Sequence, residues 1–256
     1  MKRLTNTNIK LLPFYVVCLV LLVWYVVTAT GLIPKFLMPG PIDVVQAFIE
    51  DFGLLMTNMW TTVVEAFWGL LLGVILGLLI AIAMDGINWL YRAIYPLLVL
   101  SQTIPTYAIA PILILWFGYG ILPKVLLIIV TTFFPVAVET LTGLRSADHD
   151  LIRLMHTMGA KRLQILRYVK LPASLNHFFA SLRISVSYSI IGAVIAEWVG
   201  GDSGLGVYMT RVMKTYAYDK MFAVIVLISL VSLILIGLVD VLQKLMMPWT
   251  RRRANK

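Results

Sequence analysis

Six runs of this chain are apolar for long enough to cross a lipid bilayer, and that limits the fold more than any other feature. They are Leu11–Thr28, Thr61–Met84, Ala93–Phe117, Lys124–Leu141, Phe178–Gly200 and Met221–Met247. A spanning helix takes about 20 residues, and in hydrocarbon it satisfies its own backbone hydrogen bonds. The segments between the runs are short. With 61% hydrophobic and 13% charged residues in 256, no separate soluble domain fits. The expected fold is all-α and integral to the membrane, with about six transmembrane helices in one domain over 1–256. The first run lacks a small-residue cleavage site and is followed by further spans, so it reads as a retained helix. Cys18 is the single cysteine and lies in that run, which excludes an intrachain disulfide and a thiolate metal site.

Orientation follows from where Lys and Arg fall. One side collects Lys2, Arg3, Lys10, Arg92, six basic residues from Arg145 to Lys170, Lys244, Arg251, Arg252, Arg253 and Lys256. The other holds Lys35, Lys124, Arg211, Lys214 and Lys220. Both termini are therefore expected in the cytoplasm. The net charge of +9 is distributed as an orientation signal, which argues against nucleic acid as a partner. Outside, MPGPIDVVQAF reads as an extended Pro-Gly piece followed by an amphipathic helix. A second outside segment, Glu197 to Lys220, has a corner at Gly200, Gly201, Gly204 and Gly206 before a short helix bearing Tyr and Met.

Polar and small residues inside the runs are the candidates for more than lipid contact. In the second run Glu65, Gly69, Gly73, Gly77 and Ala81 recur every four residues, a stripe that favours close helix packing over a pore. Glu65, at its outer end, is expected to snorkel to the interface. Pro96, Pro105 and Pro111 are expected to break the third run, and Ser101, Gln102, Thr103, Thr106 and Tyr107 stand beside them. Such breaks survive at membrane depth where neighbours or a wet cavity satisfy the backbone. Gln102, Thr106 and Tyr107 are thus pathway candidates; a kinked structural helix whose hydroxyls bond their own backbone is the competing reading. In the fifth run Ser181, Ser185, Ser189, Ala193 and Glu197 form a polar stripe. Ser185, Ser189 and Glu197 are expected at a translocation path or a dimer seam, and Arg183 at the headgroups.

The basic island DHDLIRLMHTMGAKRLQILRYVKLP, Asp148 to Pro172, lies within an expected cytoplasmic loop over 143–172. Asp150 is the expected cap of a short helix whose Leu151, Leu154, Met155 and Met158 share one face, with Arg153 and His156 off it. Gly159 stops that helix. A second short helix from Lys161 to about Lys170 is expected to end at Leu171-Pro172. The apolar stripe must be covered by this protein or by a partner's groove, or lie on the membrane surface.

Gly159, nine intervening residues and then Val169-Lys170-Leu171-Pro172 resemble the cytoplasmic loop motif of the membrane subunits of ATP-binding-cassette importers. Three other pieces are similar to the nitrate, sulfonate, taurine and thiamine-precursor branch of that family: PGPIDV, APILILWFGYG, and AEWVGG with SGLGVYMTRV. The resemblance implies a type I importer permease in the bacterial inner membrane that is not itself an enzyme and binds no cofactor. ATP and Mg would belong to partner ATPase subunits. An extracytoplasmic binding protein and a second permease copy would complete the assembly. It also implies that Leu151, Arg153, Leu154, Met155, Met158, Gly159 and Ala160 dock the ATPase, although Arg153-Leu154-Met155 stands where the family has Glu-Ala-Ala. The substrate it suggests is a small organic solute of the hydroxymethylpyrimidine type, with sulfonate, taurine or nitrate as relatives.

The chain has no Gly-x4-Gly-Lys-Ser/Thr and no cluster of His, Cys and carboxylates at metal spacing, so any energy source is external to it. His149, His156 and His177 read as surface residues near the inside loop. The alternative of a different class is a gradient-driven secondary transporter with Glu65, Glu139, Glu197 and Asp240 as ion sites; no internal repeat supports it.

Overall fold

The computed structural model describes residues 6–34 and 37–248. Of the basic residues counted for orientation, Lys2, Arg3, Lys35, Arg251, Arg252, Arg253 and Lys256 lie outside the described residues. Every regular element among the described residues is helical. In order these are α1 (Asn6–Ala29), α2 (Pro41–Glu50), α3 (Phe52–Gly86), α4 (Asn88–Ser101), α5 (Thr106–Phe117), α6 (Ile121–Arg145), α7 (His149–Thr157), α8 (Arg162–Ile165), a π segment (Leu166–Lys170), α9 (Leu171–Gly200), α10 (Leu205–Lys214) and α11 (Tyr218–Met246).

Four helical runs are long and apolar enough to cross a membrane: α3, α6, the stretch Arg162–Gly200 and α11. The pair α4 and α5 makes a fifth if counted as one span, and Phe14–Ala29 of α1 is a shorter apolar helix. The third run, expected to be broken, is two helices bent by 99°, and the number of breaks is corrected from three to one. Pro105 alone makes that break: it is the extended N-cap of α5, and it pushes Ile104 out of helical backbone. Before it, Gln102 and Thr103 close tight turns onto Val99 and Leu100. Pro96 and Pro111 lie inside their helices without ending them. The expected turn over Asp85–Arg92 shrinks to Ile87, whose extended backbone separates α3 from α4.

Two expectations about the basic island change. The cap of α7 is Asp148, whose side chain accepts from Asp150 N at 2.8 Å, so Asp150 sits in the first turn instead. Leu171-Pro172 does not end the second helix. Leu171 N bonds Leu166 O, a step of five residues that widens the turn ahead of the proline. Pro172 then occupies the first turn of α9, where its missing N–H and its ring are tolerated.

The chain divides into two compact units, Met1–Thr57 with Tyr208–Leu227, and Asn58–Val207 with Ile228–Lys256. In the first, Val44, Ala47 and Ala223 are buried beneath Trp24, Phe48 and Phe222. Trp24 Nε1 donates to Pro39 O at 3.1 Å, which ties α1 to the Pro-Gly segment. Asp51 accepts from Tyr208 Oη at 2.5 Å and pairs with Lys220 Nζ at 2.8 Å. The Lys220 ammonium, then the Tyr208 hydroxyl, hold the Asp51 carboxyl below the ordinary carboxylate value. Burial and the Asp51 charge push the Tyr208 phenol up.

The second unit is built on α3, α6 and α9. The small-residue stripe of α3 is a packing face, as its spacing suggests. A Cβ at Gly69 would run into Ile128, and one at Gly73 into Thr132 Oγ1. At Gly77 it would lie 2.7 Å from the Phe133 carbonyl oxygen. Backbone-to-backbone approach of this kind is what small residues permit in lipid. Ser185 Oγ donates to Thr132 O at 3.2 Å across the contact between α6 and α9. Many large side chains of α11, including Leu233, Ile234 and Leu238, remain exposed, as a lipid-facing surface requires.

Candidate functional site

Helix α7 begins at the Asp148 cap and ends in a glycine corner. Gly159, at φ +77°, takes the left-handed conformation that a side chain resists. Its N–H bonds His156 O at 3.0 Å, and Ala160 N bonds Met155 O at 3.0 Å, a Schellman closure. The corner leaves Leu151 50%, Leu154 55% and Met158 75% exposed on one face. Met155 and Ala160 are half-buried, and Arg153 is exposed with only a loose 3.6 Å pairing to Asp150. Among the described residues nothing covers this stripe. Beyond the corner, Lys170 Nζ pairs with Asp85 Oδ2 at 2.8 Å, joining the π segment to the end of α3.

A cavity of about 340 Å³ opens at the bend between α4 and α5. Gln102, Thr106 and Tyr107 line it, with Thr131 from α6 and Tyr188 and Ile191 from α9. The competing reading holds for the hydroxyls beside them: Ser101 and Thr103 bond the carbonyls of Leu98 and Leu100 at 2.7 and 2.8 Å. The structure therefore brings Gln102, Thr106 and Tyr107 together at one cavity. Ser185, Ser189 and Glu197 do not reach it. All three are buried between helices of the same chain, and Ser189 bonds Val186 O in its own helix.

Glu197 instead organises the glycine corner between α9 and α10. Its Oε1 accepts from Thr62 Oγ1 at 2.7 Å and its Oε2 from Gly206 N at 2.6 Å. Gly204 N bonds Asn58 Oδ1 and Leu205 N bonds Thr62 Oγ1, both at 2.9 Å. Side chains at 204 and 206 would collide with the Glu197 carboxyl, so the glycines are there for its approach. Glu65 is a correction too. It does not snorkel but is 2% exposed and pairs at 2.6 Å with Lys124, itself 4% exposed. The signal lay in the stripe: a carboxylate in phase with glycines that pack on α6 must face α6 as well. Arg183 pairs with Asp240 at 2.5 Å and bonds Gln243, with both ends of the ion pair half-exposed. His177 meets Glu139 at 3.2 Å. All four carboxylates required by the secondary-transporter reading thus have partners. Among the described residues no group of three His, Cys, Asp or Glu could hold a metal ion.

Residues 69–252 match the family described as binding-protein-dependent transport system inner membrane component. The chain is 36% identical over 236 residues to a formylaminopyrimidine transport permease protein of Halalkalibacterium halodurans, covering 92% of this chain and 94% of that one. It is 33% identical to a riboflavin transport system permease protein of Chloroflexus aurantiacus, covering 90% and 87%. The fold is similar to a chain in inward-facing structures of the MetNI methionine ABC transporter, with a TM-score of 0.61 and 23% identity over 77% of this chain and 96% of that one.

Proposed function

Since the chain belongs to the family of binding-protein-dependent transport system inner membrane components, and is an inner-membrane permease component of an ABC importer, we propose that it carries an aminopyrimidine precursor of thiamine into the cytoplasm. The observation that carries the substrate class is the likeness, over nearly the whole of both chains, to a formylaminopyrimidine permease. The cavity at the α4–α5 bend suits that class. A flat ring can lie between Tyr107 and Tyr188 while Gln102 and Thr106 bond its ring nitrogens and amino group. An extracytoplasmic binding protein delivers the solute, and two permease copies enclose the path.

Energy enters through α7. The exposed face of Leu151, Leu154, Met155 and Met158 docks in a groove of a cytoplasmic ATPase subunit, with the Gly159-Ala160 corner setting its angle. Closure of the ATPase dimer on ATP and Mg then draws two such helices together and biases a two-state membrane pore. Uptake of labelled formylaminopyrimidine into cells holding the whole system, with and without this chain, tests the substrate. Equal uptake in both overturns it. Gentle solubilisation of the tagged chain should bring down a stoichiometric ABC ATPase, and purification as a lone chain overturns the docking assignment.

A further inference from the structure

Helix α7 has a second face. His149, Ile152 and His156 fall at i, i+3 and i+7, on the side away from Leu151, Leu154 and Met158, and they line two adjoining cavities between α7 and the junction of α3 with α4. The first, of about 530 Å³, is walled by Tyr91 and Arg92 of α4, Arg145 at the end of α6, and Lys170 with Asp85. The second, of about 580 Å³, shares Asp85, Ile152 and Lys170 with it. Among the described residues Asp85 is the only carboxylate on either wall, and Lys170 Nζ already holds both its oxygens, at 2.9 and 2.8 Å. The nearby Asp148 is taken by the cap of α7. No carboxylate among the described residues pairs with Arg92 or Arg145. Arg145 Cζ lies 3.6 Å from the centroid of the Tyr91 ring. Such stacking takes the flat face of a guanidinium and leaves its N–H edge for an oxyanion, which it can bond through two hydrogens at once.

We propose that the first cavity binds the phosphate of an anionic membrane phospholipid, with Arg145 and Arg92 as its ligands. It lies where the spanning runs turn: α3 ends at Gly86, α4 starts at Asn88 and α6 ends at Arg145. Trp89 is 70% exposed on the first turn of α4, and Tyr91 and Tyr95 follow with ring centroids 5.1 Å apart. Aromatic residues gathered in this way mark headgroup depth, and basic pockets between helices at that depth suit phosphate headgroups. The unpaired guanidiniums favour a headgroup of net negative charge over a zwitterionic one, whose phosphate brings its own cation. Because the docking stripe lies on the other face of α7, the lipid can steady that helix from behind while the ATPase holds its front.

Native mass spectrometry of the purified full chain, titrated with phosphatidylglycerol or with phosphatidylcholine, reads the bound lipid directly. Phosphatidylglycerol should bind saturably and at least about tenfold more tightly than phosphatidylcholine. Arg145→Gln and Arg92→Gln should each weaken it about tenfold, the loss of one charge-assisted contact. Arg145→Lys should lose nearly as much, since an ammonium keeps the charge but neither the fork nor the stacking. The exposed Arg167 lines neither cavity, so Arg167→Gln removes the same charge and should bind as the wild type does. Equal binding of the two lipids by the wild type overturns the site without any variant. An equal loss in Arg167→Gln, or full binding by Arg145→Lys, also overturns it, because either means diffuse surface attraction. Displacement of the lipid by inorganic phosphate at matched concentration would give the cavity to a soluble anion. Loss of the lipid when the ATPase assembles would give it to a side chain of that partner, and each of these results refutes the lipid.

Discussion

Glu197 receives the Thr62 hydroxyl and Gly206 N–H in the buried corner; Glu197→Ala takes the acceptor from Gly206 N–H and leaves the Thr62 hydroxyl only Asn58 O, at 3.2 Å. The orphaned buried N–H costs about 1–3 kcal/mol, so the variant should unfold at a clearly lower temperature in detergent. An unchanged unfolding temperature would contradict the role assigned to this residue. At Asp51 the sign of the pH effect is fixed by its partners. Lys220 and Tyr208 lower the carboxyl below its unfolded value, so its stabilisation is fully present above the unfolded value and is lost as pH falls through the folded one. Stability of the wild type should exceed that of Asp51→Asn at neutral pH, and the gap should close on acidification; a gap that widens in acid would refute it. Single residues were the hardest scale to read from the sequence. Glu65 and Lys124 sit near the ends of their runs, where snorkelling is the ordinary fate of a charge, and only the third dimension pairs them. That Gln102, Thr106 and Tyr107 gather at one bend was legible because a proline break must be satisfied locally. The serine stripe was not, since a hydroxyl in contact with a neighbouring helix and one lining a cavity share the same spacing.

Helices carry the next set of expectations. Leu154→Asp puts a charge into a desolvated groove and should weaken ATPase binding by at least about 100-fold while leaving helix content unchanged. Co-purification of the ATPase at wild-type levels would remove α7 from the interface. On α3, Gly73→Leu drives a side chain into Thr132 of α6, where backbone and hydroxyl leave no room. The expected result is loss of folded protein in the membrane fraction, with a conservative Gly86→Ala, where a Cβ meets nothing, as the tolerated control. The stripe of α7, its glycine stop and the packing face of α3 were legible because each depends on spacing within one helix. The true cap at Asp148, the break at Pro105 alone and the widened turn before Pro172 were not. Each depends on which of several competent residues the neighbouring turn selects, and a capping Asp two positions away offers the same chemistry.

For the whole molecule, apolar run length gave the membrane class directly, because lipid imposes the same demand on every helix. The α4–α5 cavity is where the solute path is assigned, and Tyr107→Ala should lower uptake several-fold with little effect on assembly. Equal uptake would move the path elsewhere. The unbroken helical stretch from Arg162 to Gly200 has a further consequence. Because no loop separates the basic knob from the membrane-embedded length of α9, the knob's compass bearing is set by residue count. One residue inserted after Leu171 turns the continuous segment Arg162–Leu171, and the glycine corner attached to it, by about 100° about the helix axis relative to the rest of α9, aiming the docking face away from its groove, whereas seven residues, nearly two turns, restore the bearing. ATPase capture across an insertion series should therefore rise and fall with helical phase; a smooth decline with length would mean that the joint swivels.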